Sequence, residues 1–88
     1  MGKTYSINIS KKALKSLVGI HPQIRERVMQ ALDLLAINPF PAQAKKVLGS
    51  NFFRVRIGQY RIIYEVNNQK LLIYVISIDH RKDVYQKL

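Results

Sequence analysis

A chain of 88 residues, 48% of them hydrophobic, is long enough for one core and too short for two, so residues 1–88 read as a single domain. The lack of cysteine excludes a disulfide scaffold and a thiolate metal site and suits a reducing cytoplasm, and no segment approaches the length of a membrane span. Fifteen Lys and Arg against five Asp and Glu give a formal charge of +10, which points to a phosphate polymer as partner, a merely basic soluble domain being the bland alternative. The opening MGKTYS matches the short myristoylation pattern at Gly2 and Ser6, but Tyr5-Ser6-Ile7-Asn8-Ile9 alternates like a strand that ties this end into a sheet. The apolar stretch of a secretory signal is missing.

Ser10 is placed to cap a helix of about two turns with Ala13, Leu14, Leu17 and Val18 on one face, ending at Gly19. His21-Pro22 opens a second helix, because proline at the first helical position forfeits no hydrogen bond. Ile24, Val28, Ala31, Leu32 and Leu35 recur at helical spacing as its buried stripe, with Arg25, Glu26, Arg27, Gln30 and Asp33 on the wet side. Asn38-Pro39-Phe40-Pro41 ends it, and a loop with Lys45 and Lys46 follows.

The run FFRVRIGQYRIIYEV reads as a β-hairpin whose turn is Gly58-Gln59, glycine supplying a positive φ at the first turn position. That turn sets a register: Ile57 faces Tyr60, Arg56 faces Arg61, Val55 faces Ile62, Arg54 faces Ile63 and Phe53 faces Tyr64. Phe53, Val55, Ile57, Tyr60, Ile62, Tyr64 and Val66 then share an apolar face, and Arg54, Arg56 and Arg61 gather on the other. Asn67-Asn68 reads as a second tight turn setting Glu65 against Lys70 and Tyr74 against Arg61, and residues 71–78 form a last, apolar strand. The order implies an α+β fold: two N-terminal helices on one face of a small, mainly antiparallel four-stranded sheet. Tyr74, beside the arginines, can stack a base or simply cover an arginine stem. Leu72, Ile76 and Ile78 are expected on the open side.

Like charges set directly opposite one another across strands are destabilising, and a bound anion removes that cost. No carboxylate lies between Asp33 and Glu65, whereas Lys45, Lys46, Arg54, Arg56 and Arg61 all do. Beyond the last strand, IDHRKDVY adds an imidazole, a guanidinium and a phenol. Metal-free RNA cleavage needs a base for the 2′-OH, cations for the phosphorane and an acid for the leaving 5′ oxygen. Arginine suits the middle role and is a poor proton shuttle, so acid and base are sought in His80 and Tyr85, with either assignment open. No cofactor or metal is called for.

The hairpin and the VISIDHRKDVY tail resemble the RelE/ParE superfamily of toxin–antitoxin modules, more its RelE branch, from the ISKKALKSL helix to Tyr85. The resemblance implies a microbial-RNase-like fold, ribosome-dependent cleavage of mRNA in the A site, and silencing by a cognate RelB-like antitoxin. It places the family's cationic pair on Arg54 and Arg56, its phosphate-binding arginine on Arg61, and its C-terminal arginine and tyrosine on Arg81 and Tyr85. Lys45, Lys46, Tyr74 and Lys82 are expected to touch RNA. Members often carry lysines where this chain has Arg54 and Arg56, which moves the base elsewhere, to Tyr85 first, with His80 as acid. A ParE-like gyrase inhibitor and an inactive RNA-binding remnant are the competing readings.

Overall fold

The structure, a computed structural model, describes residues 4–80. In chain order it contains β1 (Ser6–Ile9), α1 (Lys11–Gly19), α2 (Pro22–Ile37), β2 (Lys45–Lys46), β3 (Phe52–Ile57), β4 (Tyr60–Asn67) and β5 (Leu72–His80). One sheet takes the order β1-β5-β4-β3-β2, antiparallel throughout except where β1 joins β5 in parallel. The connection that such a parallel pair requires runs here through both helices and then β2, β3 and β4. The sheet therefore has five strands where the sequence reading gives four. Lys45 and Lys46, read as loop, pair with Arg54 and Phe53 as a two-residue edge. Nothing apolar marks so short a strand, and its lysines disfavour edge-to-edge association.

Ser10 caps α1 as expected: its Oγ accepts from the Ala13 N–H at 3.0 Å. The same hydroxyl donates to the Ile76 carbonyl at 2.7 Å and so fastens the helix start to β5. Gly19, however, does not end α1 with a left-handed turn; it lies inside the helix, and Ile20 caps it in an extended conformation. The exposed carbonyls are instead taken by Arg25, placed on the wet side of α2 by the sequence pattern. Its Nε donates to Leu17 O, and its Nη2 to Val18 O and Ile20 O, each at 3.0 Å. A cation at a helix C-terminus also complements the helix dipole. Arg25→Ala is expected to lower stability by about 1–3 kcal/mol, the range for charged hydrogen bonds, as thermal denaturation would measure.

The core joins Ala13 and Leu17 of α1 and Val28, Leu32 and Leu35 of α2 to Val55, Ile62, Tyr64, Ile73 and Val75 of the sheet. The α2 stripe is as the helical spacing predicts. In α1 only Ala13 and Leu17 are buried; Leu14 and Val18, expected beside them, are exposed. Helix α1 meets the sheet chiefly at β5, so a narrow strip of its surface suffices for that contact.

Tyr64 is fully buried, and its hydroxyl donates to the Pro39 carbonyl at 2.7 Å, holding the loop after α2 against the sheet. Burial pushes its pKa from 10.0 up to about 12. A phenol that resists ionisation more when folded than when unfolded contributes stability in full below pH 10 and loses it as pH rises towards 12. Tyr64→Phe is expected to flatten the alkaline fall in stability between those values. It should also lower stability near pH 7 by about 1 kcal/mol through the lost hydrogen bond; urea titrations across pH measure both effects.

Candidate functional site

The hairpin forms in the expected register: Ile57↔Tyr60, Arg56↔Arg61, Val55↔Ile62, Arg54↔Ile63 and Phe53↔Tyr64. Gly58 takes φ +59° at the first turn position, which is costly for a side chain with a Cβ. Because strand residues alternate between faces, this register leaves Arg54, Arg56 and Arg61 on the side away from the helices.

Across β3, β4 and β5 a single row reads Arg56, Arg61, Asp79. Asp79 was not foreseen, yet it lies directly opposite Arg61, where side chains start about 5 Å apart. It supplies negative charge on one side of Arg61 while Arg56 faces it from the other. The repulsion of the two arginines is thus partly offset from within the sheet. Arg61 is only 9% exposed, Arg54 is half-buried and Arg56 is open to solvent. The row therefore grades from a fixed guanidinium to a free one.

A concavity of about 340 Å³ lies over this row, lined by Arg54, Arg61, Asp79, Lys46, Val47 and Leu48 among others. Arg54 also borders an adjoining hollow of about 390 Å³ with Lys45, Arg56 and Gln43. The β2 edge is what brings the lysines here, since Lys45 sits opposite Arg54. Together these side chains offer several cationic donors to an anion, with apolar Val47 and Leu48 at the mouth. The Val47 turn is tied down by the Ser50 hydroxyl, which donates to Val47 O at 2.8 Å and accepts from the Phe52 N–H at 3.1 Å.

Four expected placements differ. Tyr74 pairs with Glu65, not Arg61, which puts it roughly 13 Å along β4 from the arginine, at about 3.3 Å per residue. The turn after β4 runs from Asn67 to Leu72, longer than two residues, and a register shift at Ile63/Tyr64 adds to the offset. Asn67 Oδ1 holds that turn by accepting from the Gln69 and Lys70 N–H groups, and Leu71 takes φ +52°. Glu65 accordingly does not meet Lys70. The same shift carries Ile78 to the helix side, where it pairs with Ile62 and is buried, not open as expected.

His80 is the fourth difference. It pairs with Tyr60, on the face of Ile62 and Ile78, and its ring meets the tyrosine edge-on with centroids 5.2 Å apart. It does not converge with the arginines on the open face. Arg81, Lys82 and Tyr85 lie outside the described residues. Among the described residues, no group of three His, Cys, Asp or Glu side chains is arranged to hold a metal ion, and no helix is long and apolar enough to cross a membrane.

Residues 7–85 match the family model for the ParE toxin of type II toxin–antitoxin systems, parDE. Toxin RelE3 of Methanocaldococcus jannaschii is 30% identical over 81 residues, covering 86% of this chain and 90% of that protein. The archaeal RelE–RelB complex from Pyrococcus horikoshii OT3 contains a similar fold, with TM-score 0.80 and 28% identity over 89% of this chain and 96% of that one. The RelB–RelE antitoxin–toxin complex from Methanococcus jannaschii gives TM-score 0.76 at 28% identity, over 92% and 98% of the two chains. With the hairpin register, the two-helix cover and this match over nearly its whole length, the chain belongs to the RelE/ParE superfamily of type II toxin–antitoxin toxins.

Proposed function

We propose that this toxin is a metal-independent endoribonuclease that cleaves mRNA in the ribosomal A site by attack of a 2′-OH on the adjacent phosphodiester. The observation that carries the reading is the concavity in which the largely buried Arg61 and the half-buried Arg54 face the same space. A guanidinium as confined as that of Arg61, with Arg54 beside it, suits a phosphorane, whose charge grows in the transition state, because it needs little reorganisation as the charge forms. Arg56, Lys45 and Lys46 hold neighbouring phosphates and orient the strand. The ribosome supplies the in-line alignment of mRNA that an open sheet face does not impose alone.

Proton transfer is assigned differently from the sequence reading. The His80 imidazole packs against Tyr60 on the helix side, away from the arginines, and so is not placed to act as general acid on this face. Tyr85 remains the proposed base and Arg81 a further phosphate ligand, both carried from the family resemblance. Catalysis then rests mainly on charge stabilisation and positioning.

The partner is a RelB-like antitoxin, as in the RelE–RelB complexes of similar fold. The exposed apolar surface available to it lies on the helices, at Leu14 and Val18 of α1 and Leu34 and Ile37 of α2; of the β5 residues expected to contribute, Ile78 is buried, while Leu72 and Ile76 are only half-buried. A ParE-like action on DNA gyrase is the second reading, favoured by the family model's name. Primer extension on a defined mRNA, with and without translating ribosomes, separates the two when run beside a supercoiling assay. Cuts that need ribosomes and fall at codon-spaced positions support cleavage; intact mRNA with inhibited supercoiling selects the gyrase reading.

A further inference from the structure

A second and larger concavity, of about 610 Å³, adjoins the arginine site and differs from it in chemistry. Its apolar part is Phe40, Phe53 and Val66; its polar part includes the amides of Asn51, Asn67, Asn68 and Gln69 and the carboxylate of Glu65. Lys46 lines both concavities. The open face of β4 links them as well, since Arg61 and Ile63 line the first and Glu65 and Asn67 line the second. Phe53 pairs with Tyr64 and Phe40 packs on Phe53, so this aromatic pair stands on the helix side of the sheet, and the second concavity wraps from there round to Glu65 and Asn67 on the open side.

Phe40 is 46% exposed and yet firmly held. Its ring meets Phe53 edge-on at 5.2 Å, and Phe53 stacks on the buried Tyr64 at 5.9 Å. Its backbone N–H donates to Asn38 Oδ1 at 3.1 Å. An aromatic ring presented to solvent from a rigid support loses little freedom when something stacks on it. The amides around it are poised for hydrogen bonding: Asn67 and Asn68 each use only their Oδ1, towards the following turn and the Tyr5 hydroxyl respectively. The side chains of Asn51 and Gln69 make no hydrogen bond to the described residues. An aromatic platform ringed by amides is the means by which proteins read unstacked bases of single-stranded RNA.

We infer that this concavity is a nucleobase subsite: the base of a nucleotide neighbouring the phosphate held by Arg54 and Arg61, carried round the sheet edge past Lys46, stacks on Phe40, and the amides of Asn51 and Gln69 hydrogen-bond its edge. The inference rests on the proposal that the arginine face binds RNA. The backbone of the strand crosses the short β2 edge at Lys46, which serves both hollows. Base preference at that one position then arises here, apart from the groups that act on the phosphate.

Short RNAs carrying 2-aminopurine at each position in turn, free and bound to ribosomes, provide the test, because the fluorescence of this base falls when it stacks. With the wild-type protein one position is expected to be quenched. Phe40→Ala should abolish that quenching and weaken binding about 5-fold or more, as loss of one base–aromatic stack does. Phe40→Leu retains apolar packing on Phe53 and guards against a folding artefact; it too should lose the quenching. Asn51→Ala and Gln69→Ala, both at exposed positions, should keep the quenching and relax base preference at that position. No quenched position, or quenching unchanged in Phe40→Ala, overturns the subsite and leaves the cavity to a protein partner. The cleavage reading is scored separately by primer extension: quenching without cleavage defeats that reading alone, and cleavage without quenching defeats the subsite alone.

Discussion

Arg61→Ala is expected to lower ribosome-dependent cleavage by about 10²–10³-fold, the loss typical of removing one preorganised donor to a developing oxyanion. Arg61 should matter more than Arg56 because their settings differ. Arg61 is confined between β3 and β5 with Asp79 across from it, whereas Arg56 is solvent-exposed and screened. Arg56→Ala is accordingly expected to act mainly on binding, with a reduced salt dependence, and Arg61→Ala mainly on the chemical step. Arg61→Lys tests whether charge alone suffices: a lysine keeps the cation and loses the planar fork, and should recover only part of the rate. Single-turnover measurements on ribosome-bound mRNA separate these effects. A full rate in Arg61→Ala, with its thermal midpoint unchanged, would remove the arginine row from the mechanism.

Leu32→Ala should lower stability by about 3 kcal/mol, and Leu34→Ala, two positions along the same helix, by less than about 0.5 kcal/mol. Leu32 is 2% exposed and Leu34 is 67% exposed, so truncating the first leaves a cavity between helix and sheet while truncating the second removes only surface. In a domain this small the first change corresponds to a fall of about 10 °C or more in Tm. The contrast also separates stability from partner binding. Leu34→Ala is expected to weaken association with an antitoxin that covers α2 while leaving Tm in place.

The parts of the fold that proved legible share a local cause. A two-residue turn at Gly58-Gln59 fixes every pair in the hairpin, and the spacing of Val28, Leu32 and Leu35 fixes which side of α2 is buried. Both are decided within a few residues of sequence. What was misplaced depends on longer-range geometry. One register shift at Ile63/Tyr64 and a longer turn before β5 were enough to move Tyr74 away from Arg61 and to bring Asp79 opposite it. Since neighbouring strand residues face opposite ways, the same offset turned Ile78 and His80 to the helix side. Arg25 was assigned to solvent by its helical position, because no periodicity reveals that α1 ends within its reach. The arginine cluster was thus readable from the hairpin alone, while its counter-charge required knowledge of how the last strand pairs.

The placement of β5 bears on how the toxin comes into being during its own synthesis. This strand is the last element of the described chain and yet lies inside the sheet, between β1 and β4, with α1 packed chiefly against it. A nascent chain that has emerged only as far as the hairpin has both helices and the strands β1 to β4 but lacks the β5 surface on which α1 settles. Asp79 would be missing beside Arg61 as well. Folding must therefore wait for β5, and the pairing that completes it joins residues as far apart as Ser6 and Leu72. Such distant closure is slow compared with helix or hairpin formation. Until β5 pairs, the row of Arg56, Arg61 and Asp79 is not assembled, so a chain still in the course of folding presents an antitoxin with a surface different from that of the finished domain.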